Sequence, residues 1–294
     1  MNEKEKQKAI KAGEIAKKVK EYARSIIKKD MPLLEIAEKI EAEIIKLGGK
    51  IAFPTNLSIN EVAAHYTPSY NDDTKATGLL KVDMGVHVDG FIADFTFSVD
   101  LDNNSENKKM IEASEKALKN AIEKVKSEKS LGEIGKAVQE TIESYGFSPI
   151  INLTGHEMNE YELHSGLTIM NIENKNPEKL GKGLYAIEPF ATNGSGKIYE
   201  GKPSGIYQLI DDKNIRSNDA RIILNYIAEE YRTLPFCSRW LVKKFGARTL
   251  FALKQLEENG NLHQYPQLVE VSKGKVAQSE DTILVDDKVI VTSD

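Results

Sequence analysis

Apolar residues recur along this chain with two periods, and the switches between them mark out its elements. Residues 4–28 carry Ala12, Ile15, Ala16, Val19, Tyr22, Ala23 and Ile26 at the spacing of one helical face. A second helix begins near Pro32, a residue suited to a first turn, and stops at Gly48 and Gly49. Its stripe is Leu33, Ile36, Ala37, Ile40, Ile44 and Leu47. Residues 51–72 lack a clear period and hold Pro54 and Pro68, so they read as irregular loop with a strand. From 81 to 96 the period drops to two. Val82, Met84, Val86 and Val88 alternate with Asp83, Gly85, His87 and Asp89. Asp89-Gly90 is a two-residue hairpin turn signal, and Phe91, Ala93 and Phe95 return on one face with Ile92, Asp94 and Thr96 on the other. In that register Val88 pairs with Phe91 and Gly85 with Asp94. Asp83 and Asp94 then become diagonal neighbours on one face.

The later pattern repeats the theme. Two helices are predicted over 107–127 and 131–145, the second with Ser130 as N-cap and Gly146 as its stop. Residues 149–171 carry His156 and His164, eight apart, which would share a face of one uninterrupted strand. Residues 183–192 read as a buried strand broken at Glu188-Pro189. After a loose stretch with Gly194, Gly196, Gly201 and Pro203, a short strand is expected over 206–210. Helices follow over 219–231, capped by Ser217 or Asn218, then 238–245 and 248–257, with Gly260 as the stop. This region reads as a helical insertion between two parts of a sheet. Its basic residues, Arg239, Lys243, Lys244 and Arg248, read as a solvated face. A last hairpin alternates Thr282, Leu284 and Asp286 with Ile283 and Val285, and Glu280 lies early in its first strand. The class is α+β, with helices covering antiparallel sheet.

Composition narrows the function. The chain has 294 residues, 40% apolar and 29% charged, as a globular protein does. No apolar run nears the roughly 20 residues of a membrane span, and the charged start lacks a signal-peptide core. Cys237 is the only cysteine, so no intrachain disulfide forms and a cytoplasmic location is expected. The net charge of -5 argues against broad nucleic-acid binding. P-loop, dinucleotide and Gly-x-Ser-x-Gly motifs are absent.

The chemistry starts from Asp83 and Asp94. Two such close carboxylates repel unless one is protonated, both face water, or a cation lies between them, and hard divalent ions favour oxygen ligands. His65, His156, His164, Glu188 and Glu280 each have a bland structural reading when taken alone.

As an ordered set they do not. The segments FPTNLSINEVAAHYTP (53–68), KVDMGVHVDGFIADFTFSV (81–99), NLTGHEMNEYELHSG (152–166), YAIEPFAT (185–192), LPFCSRWL (234–241) and KVAQSEDTILV (275–285) resemble the methionine aminopeptidases, specifically an archaeal-like type 2 branch. The resemblance implies the pita-bread fold: two pseudo-symmetric halves of antiparallel sheet flanked by helices. It also implies a catalytic domain over 1–194 and 265–294 and an inserted, winged-helix-like helical subdomain over 195–264. Carried across, the ligands of two divalent ions (Co, Mn, Fe or Zn) would be Asp83, Asp94, His156, Glu188 and Glu280, with Asp94 and Glu280 bridging. Four carboxylates balance two such ions, and a paired site can lower the pKa of a shared water.

The same resemblance makes His65 and His164 substrate-binding and charge-stabilising residues, and gives Glu188 a proton-shuttle role. Phe53, Leu163, Phe190 and Tyr265 would form the methionine pocket, although core packing is their bland reading. The implied reaction removes the initiator methionine from nascent chains with a small second residue. The implied enzyme is a cytoplasmic monomer that meets substrates near the ribosome, without direct nucleic-acid or membrane binding. Asp281 departs from the histidine usual after the last ligand; strand alternation should point it away from Glu280, for a modest effect. Two rivals stand: another pita-bread peptidase such as prolidase or aminopeptidase P, and a catalytically dead binding protein on the same fold.

Overall fold

A computed structural model describes residues 1–293. Two long helices, α1 (Glu3–Ile26) and α2 (Leu33–Lys46), precede β1 (Lys50–Ile59) and β2 (Val62–Ala64). The hairpin of β3 (Leu79–Val88) and β4 (Phe91–Asp100) has the predicted register, Val88 opposite Phe91 and Gly85 opposite Asp94. Sheet β1-β3-β4 turns Val82, Met84, Val86, Ala93, Phe95 and Phe97 onto α1 and α2, forming one core. Its other face carries Asp83 and Asp94. At the turn, Asp89 and Gly90 both have positive φ, 48° and 90°, as a tight hairpin requires.

The second half repeats the plan. Helices α3 (Ser105–Lys126) and α4 (Leu131–Ser144) follow, the latter opened by a capping box of Ser130 and Glu133. Then come β5 (Ser148–Pro149), β6 (Thr154–Met158), β7 (Thr168–Met170), β8 (Gly183–Ile187) and β9 (Phe190–Thr192). The break predicted at Glu188-Pro189 separates β8 from β9. The 149–171 stretch is not one strand: β6 ends at Met158, and Leu163, His164 and Ser165 lie in the loop before β7.

Next come β10 (Ile198–Leu209), α5 (Asn218–Glu230), β11 (Phe236–Cys237), α6 (Ser238–Phe245), α7 (Thr249–Glu258) and β12 (Leu262–Glu270). The strand expected over 206–210 is therefore the end of a longer one. Register shifts around Pro203 hid its pattern. The three helices share a core of their own, including Ile223, Ile227, Leu241, Leu253 and Leu256. The sheet β11-β10-β12-β2 ties them to the first half.

Arg239 is buried rather than part of a solvated basic face. Its guanidinium donates Nη1 and Nη2 to Glu41 at 2.8 and 2.7 Å and Nε to the Pro68 carbonyl at 3.0 Å. This bidentate pair fastens α6 to α2.

The chain closes with β13 (Val276–Gln278), β14 (Asp281–Val285) and β15 (Val289–Val291). Sheets β13-β9-β5 and β15-β14-β8-β6-β7 pack Tyr185, Ile187, Ala191, Ala277 and Ile283 against α3 and α4. The two halves meet where β4 passes the β13–β14 run, with Thr96 and Glu280 joined by an isolated antiparallel bridge. Among the described residues no helix is long and apolar enough to cross a membrane.

Candidate active site

Between the halves lies a cavity of about 450 Å³. The five candidate ligands reach it from four local devices. Asp83 and Asp94 project from the polar face of the hairpin. His156 follows Gly155 on β6, where a Cβ on Gly155 would meet the Ala186 carbonyl oxygen at 2.5 Å. Glu188 sits at the β8–β9 break, and Glu280 at the bridge between β13 and β14.

All five line this one cavity. Donor atoms of Asp94, His156 and Glu280 lie within 4.8 Å of one another. His156 Nε2 is 3.6 Å from both Asp94 Oδ2 and Glu188 Oε1. His65 and His164 also line it, with Phe53, Leu163, Phe190 and Tyr265.

The electrostatics are those of a crowded cluster of buried carboxyls. Burial raises the Asp83 carboxyl to about 7, against the hydrogen bonds of Thr96 and Asn56 that favour its charge. Burial lifts Asp94, Glu188 and Glu280 well above the ordinary carboxyl range, and their mutual repulsion adds to it. Oδ1 of Asp83 and Oδ1 of Asp94 are buried with no hydrogen-bond partner among the described residues. Buried polar atoms are rarely left so without a functional reason. Oxygen donors crowded around one imidazole fit a divalent transition metal or zinc, which would occupy the free lone pairs and neutralise the cluster.

The histidines lose their charge instead. Burial holds His156 near 3 and His65 near 4; His164 keeps an exposed surface, and the protein around it lowers its pKa from the ordinary value. His65 Nδ1 lies 3.2 Å from the Pro266 carbonyl, which can only accept, so Nδ1 carries the proton. Its backbone is left-handed at φ 61°, a cost usually met at functional positions. His164 packs edge-on to His156, ring centroids 4.3 Å apart, so the pair meets although one strand does not carry both.

Several residues that hold the cluster escaped the sequence reading. Thr96 donates to Glu280 Oε2 at 2.7 Å. Gln278 donates to Glu188 Oε2 and Glu280 Oε2, both at 3.3 Å. Asn56 donates to Asp83 Oδ2 at 3.2 Å. Two-residue spacing from Asp94 and from Glu280 could have flagged Thr96 and Gln278. Nothing local flags Asn56, which arrives by the β1–β3 pairing opposite Asp83. Asp281 does point away from the cluster: Oδ1 accepts from Lys20 at 3.1 Å and Ser293 at 2.6 Å.

The description of metallopeptidase family M24 matches residues 7–287. A methionine aminopeptidase of Pyrococcus abyssi is 46% identical over 293 residues, covering 98% of this chain and 99% of that one. Among solved structures, a thermophilic Arx1 superposes with a TM-score of 0.85 at 14% identity, covering 99% of this chain and 91% of its own. A methionine aminopeptidase from Thermotoga maritima gives 0.72 at 20% identity, covering 100% and 98%. The two structural likenesses bear on the fold alone, which is the pita-bread arrangement.

Proposed function

The chain belongs to metallopeptidase family M24, and we propose that within it the protein works as a methionine aminopeptidase, removing the first methionine from chains whose second residue is small. The observation that carries this reading is the buried group of Asp94, His156 and Glu280 flooring an apolar-walled cavity with two more histidines. Near-full-length identity to a methionine aminopeptidase favours it over a prolidase or an aminopeptidase P. A dead binding protein would have no need to keep this costly cluster of buried, mutually repelling acids.

We assign two divalent ions, of Co, Mn, Fe or Zn, to Asp83, Asp94, His156, Glu188 and Glu280. Asp94, His156 and Glu280, whose donor atoms lie within 4.8 Å of one another, would form the heart of that ligand set, with Asp83 and Glu188 completing it. When bound there, divalent metal supplies Lewis acidity toward water and the scissile carbonyl.

The remaining work falls to side chains. Phe53, Leu163, Phe190 and Tyr265 take the methionine side chain, whose unbranched thioether suits aromatic walls. His65, with its proton on Nδ1, keeps Nε2 free to accept from the N–H of the bond to be broken. That narrows its expected part from charge stabiliser to acceptor. His164, open to the cavity, donates to the carbonyl oxygen as negative charge develops. Glu188 takes the proton that the attacking water gives up and passes it to the leaving nitrogen.

We further assign the protein to the type 2 branch, with residues 195–264 as its inserted subdomain. Its substrates are nascent chain ends met in the cytoplasm, near the ribosome, by a monomer.

A panel of Met-X peptides tests the reading. The second residue lies against His65, and bulk there displaces the carbonyl; about 1 Å of misplacement can cost on the order of 10²-fold. Met-Ala should be cleaved and Met-Arg spared, and N-acetylation should block both. Comparable kcat/KM for the two peptides, or cleavage of the acetylated form, would overturn it.

A further inference from the structure

The seam between the two halves is built in an unusual way. Strand β4 and the β13–β14 run pass each other antiparallel. Their backbones meet directly only at the centre, where Thr96 N donates to Glu280 O at 3.2 Å and Glu280 N donates to Thr96 O at 3.0 Å. Two residues to either side, a hydroxyl stands between the backbones. On one side Ser98 Oγ accepts from Gln278 N at 2.9 Å and donates to Gln278 O at 2.8 Å. On the other, Thr282 Oγ1 accepts from Asp94 N at 2.7 Å and donates to Asp94 O at 2.8 Å.

The pattern is two-fold about the Thr96–Glu280 pair, and the hydroxyl donors come one from each half. Directly bonded strands run about 4.8 Å apart. A hydroxyl that takes both hydrogen bonds must hold the chains wider, while still satisfying the N–H and C=O of the residue it faces. The residues so treated matter for the site. Thr282 holds the backbone of Asp94. Ser98 holds Gln278, whose amide reaches Glu188 and Glu280. Thr282 is itself fixed by Thr292, whose N and Oγ1 donate to its carbonyl at 2.9 and 3.2 Å.

We propose that Thr282 and Ser98 are positioning residues that wedge this seam to a set width, and so fix Asp94 of one half against Glu280 of the other at the separation an ion pair needs. The inference rests on the two-ion reading above.

The test compares metal binding in four variants of the full chain. Mn²⁺ is titrated into metal-stripped protein, and affinity and the spin-coupled signal of a close Mn pair are read by EPR. Thr282→Val removes the hydroxyl at nearly constant volume, and Thr282→Ser keeps it. Thr282→Val is expected to bind the second ion on the order of 10–100-fold more weakly and to lose the coupled signal. Thr282→Ser is expected to retain both. Ser98→Ala should weaken the second ion less, with Ser98→Thr retaining it, and this pair decides the matter if Thr282→Val does not fold. An unchanged coupled signal and affinity in the hydroxyl-free variants, with only a lower Tm, would overturn the wedge. If the unaltered protein binds a single ion, the two-ion reading fails and takes the wedge with it.

Discussion

Glu41 and Glu280 are both buried acids, at 6% and 2% exposure, and the chain surrounds them in opposite ways. Glu41 takes a bidentate pair from Arg239, a bond from Trp240 Nε1 at 2.8 Å and another from Thr55 N at 3.3 Å. Every charge there is answered within the protein, and the result is a fastening between α2, β1 and α6. Glu280 receives a threonine hydroxyl and a glutamine amide, and otherwise faces Asp83, Asp94 and Glu188. Among the described residues no cationic side chain bonds to it; Lys20, whose charge favours its ionised form, is bonded to Asp281 instead. A buried acid with its own partner builds structure; a group of buried acids without one is waiting for something from outside.

The comparison is sharpest where the effects are largest. Asp94→Ala or Glu280→Ala should abolish turnover and lose bound metal together, measured by peptide assay and elemental analysis. Full activity of either variant at saturating metal would erase the distinction between the two acid sites. Arg239→Met should act on the other side of it. Stranding Glu41 is expected to cost about 3–5 kcal/mol of stability in denaturant titration, without changing how many ions bind. The double variant Glu41→Leu/Arg239→Met should recover much of that loss.

Intermediate in size, His65→Ala and His164→Ala should lower kcat by roughly 10²–10³-fold while metal content stays intact. Stoichiometric metal loss in either would make that histidine a ligand instead. The smallest effect is on pH dependence. In metal-stripped protein the folded carboxyls hold protons more tightly than the unfolded ones do. Stability should therefore fall as pH rises from about 4, the unfolded value, through about 7, where Asp83 ionises in the fold. A Tm drop on the order of 5 °C between pH 5 and 8 is expected, and added Mn²⁺ should remove it. A flat profile without metal would mean the cluster is not under the repulsion described.

The same contrast explains what the sequence could convey. The hairpin was legible to the residue, because alternation and Asp89-Gly90 leave a single register that buries Val82 and Phe95. The residues of the candidate site were legible mainly by resemblance, since Glu188 and Glu280 carry no local sign of their role. His156 and His164 were paired for a reason the fold does not use: the loop after β6, not a common strand, brings the rings together. Arg239 looked like surface because its partner lies 198 positions away. The long strand β10 was shortened because Gly201, Pro203 and Gly205 broke its pattern. Thr282 and Ser98 were invisible, since a hydroxyl that spaces two strands leaves no trace in either strand's periodicity.

The hairpin turn carries a consequence for anyone who would cut or extend this chain. Hairpin tips are ordinarily safe places for a tag or a new terminus. Here the Gly90 carbonyl accepts from Tyr161 N at 2.9 Å, and a Cβ on Gly90 would strike the Tyr161 ring at 2.4 Å. Arg232, just after α5, stacks on that same ring, 4.1 Å from its centroid, and Thr233 bonds the Tyr161 carbonyl. Three parts of the molecule therefore converge on two residues. An epitope spliced at 89–90 would pry them apart, whereas the connection at 127–129, exposed between α3 and α4, offers the tolerant graft point.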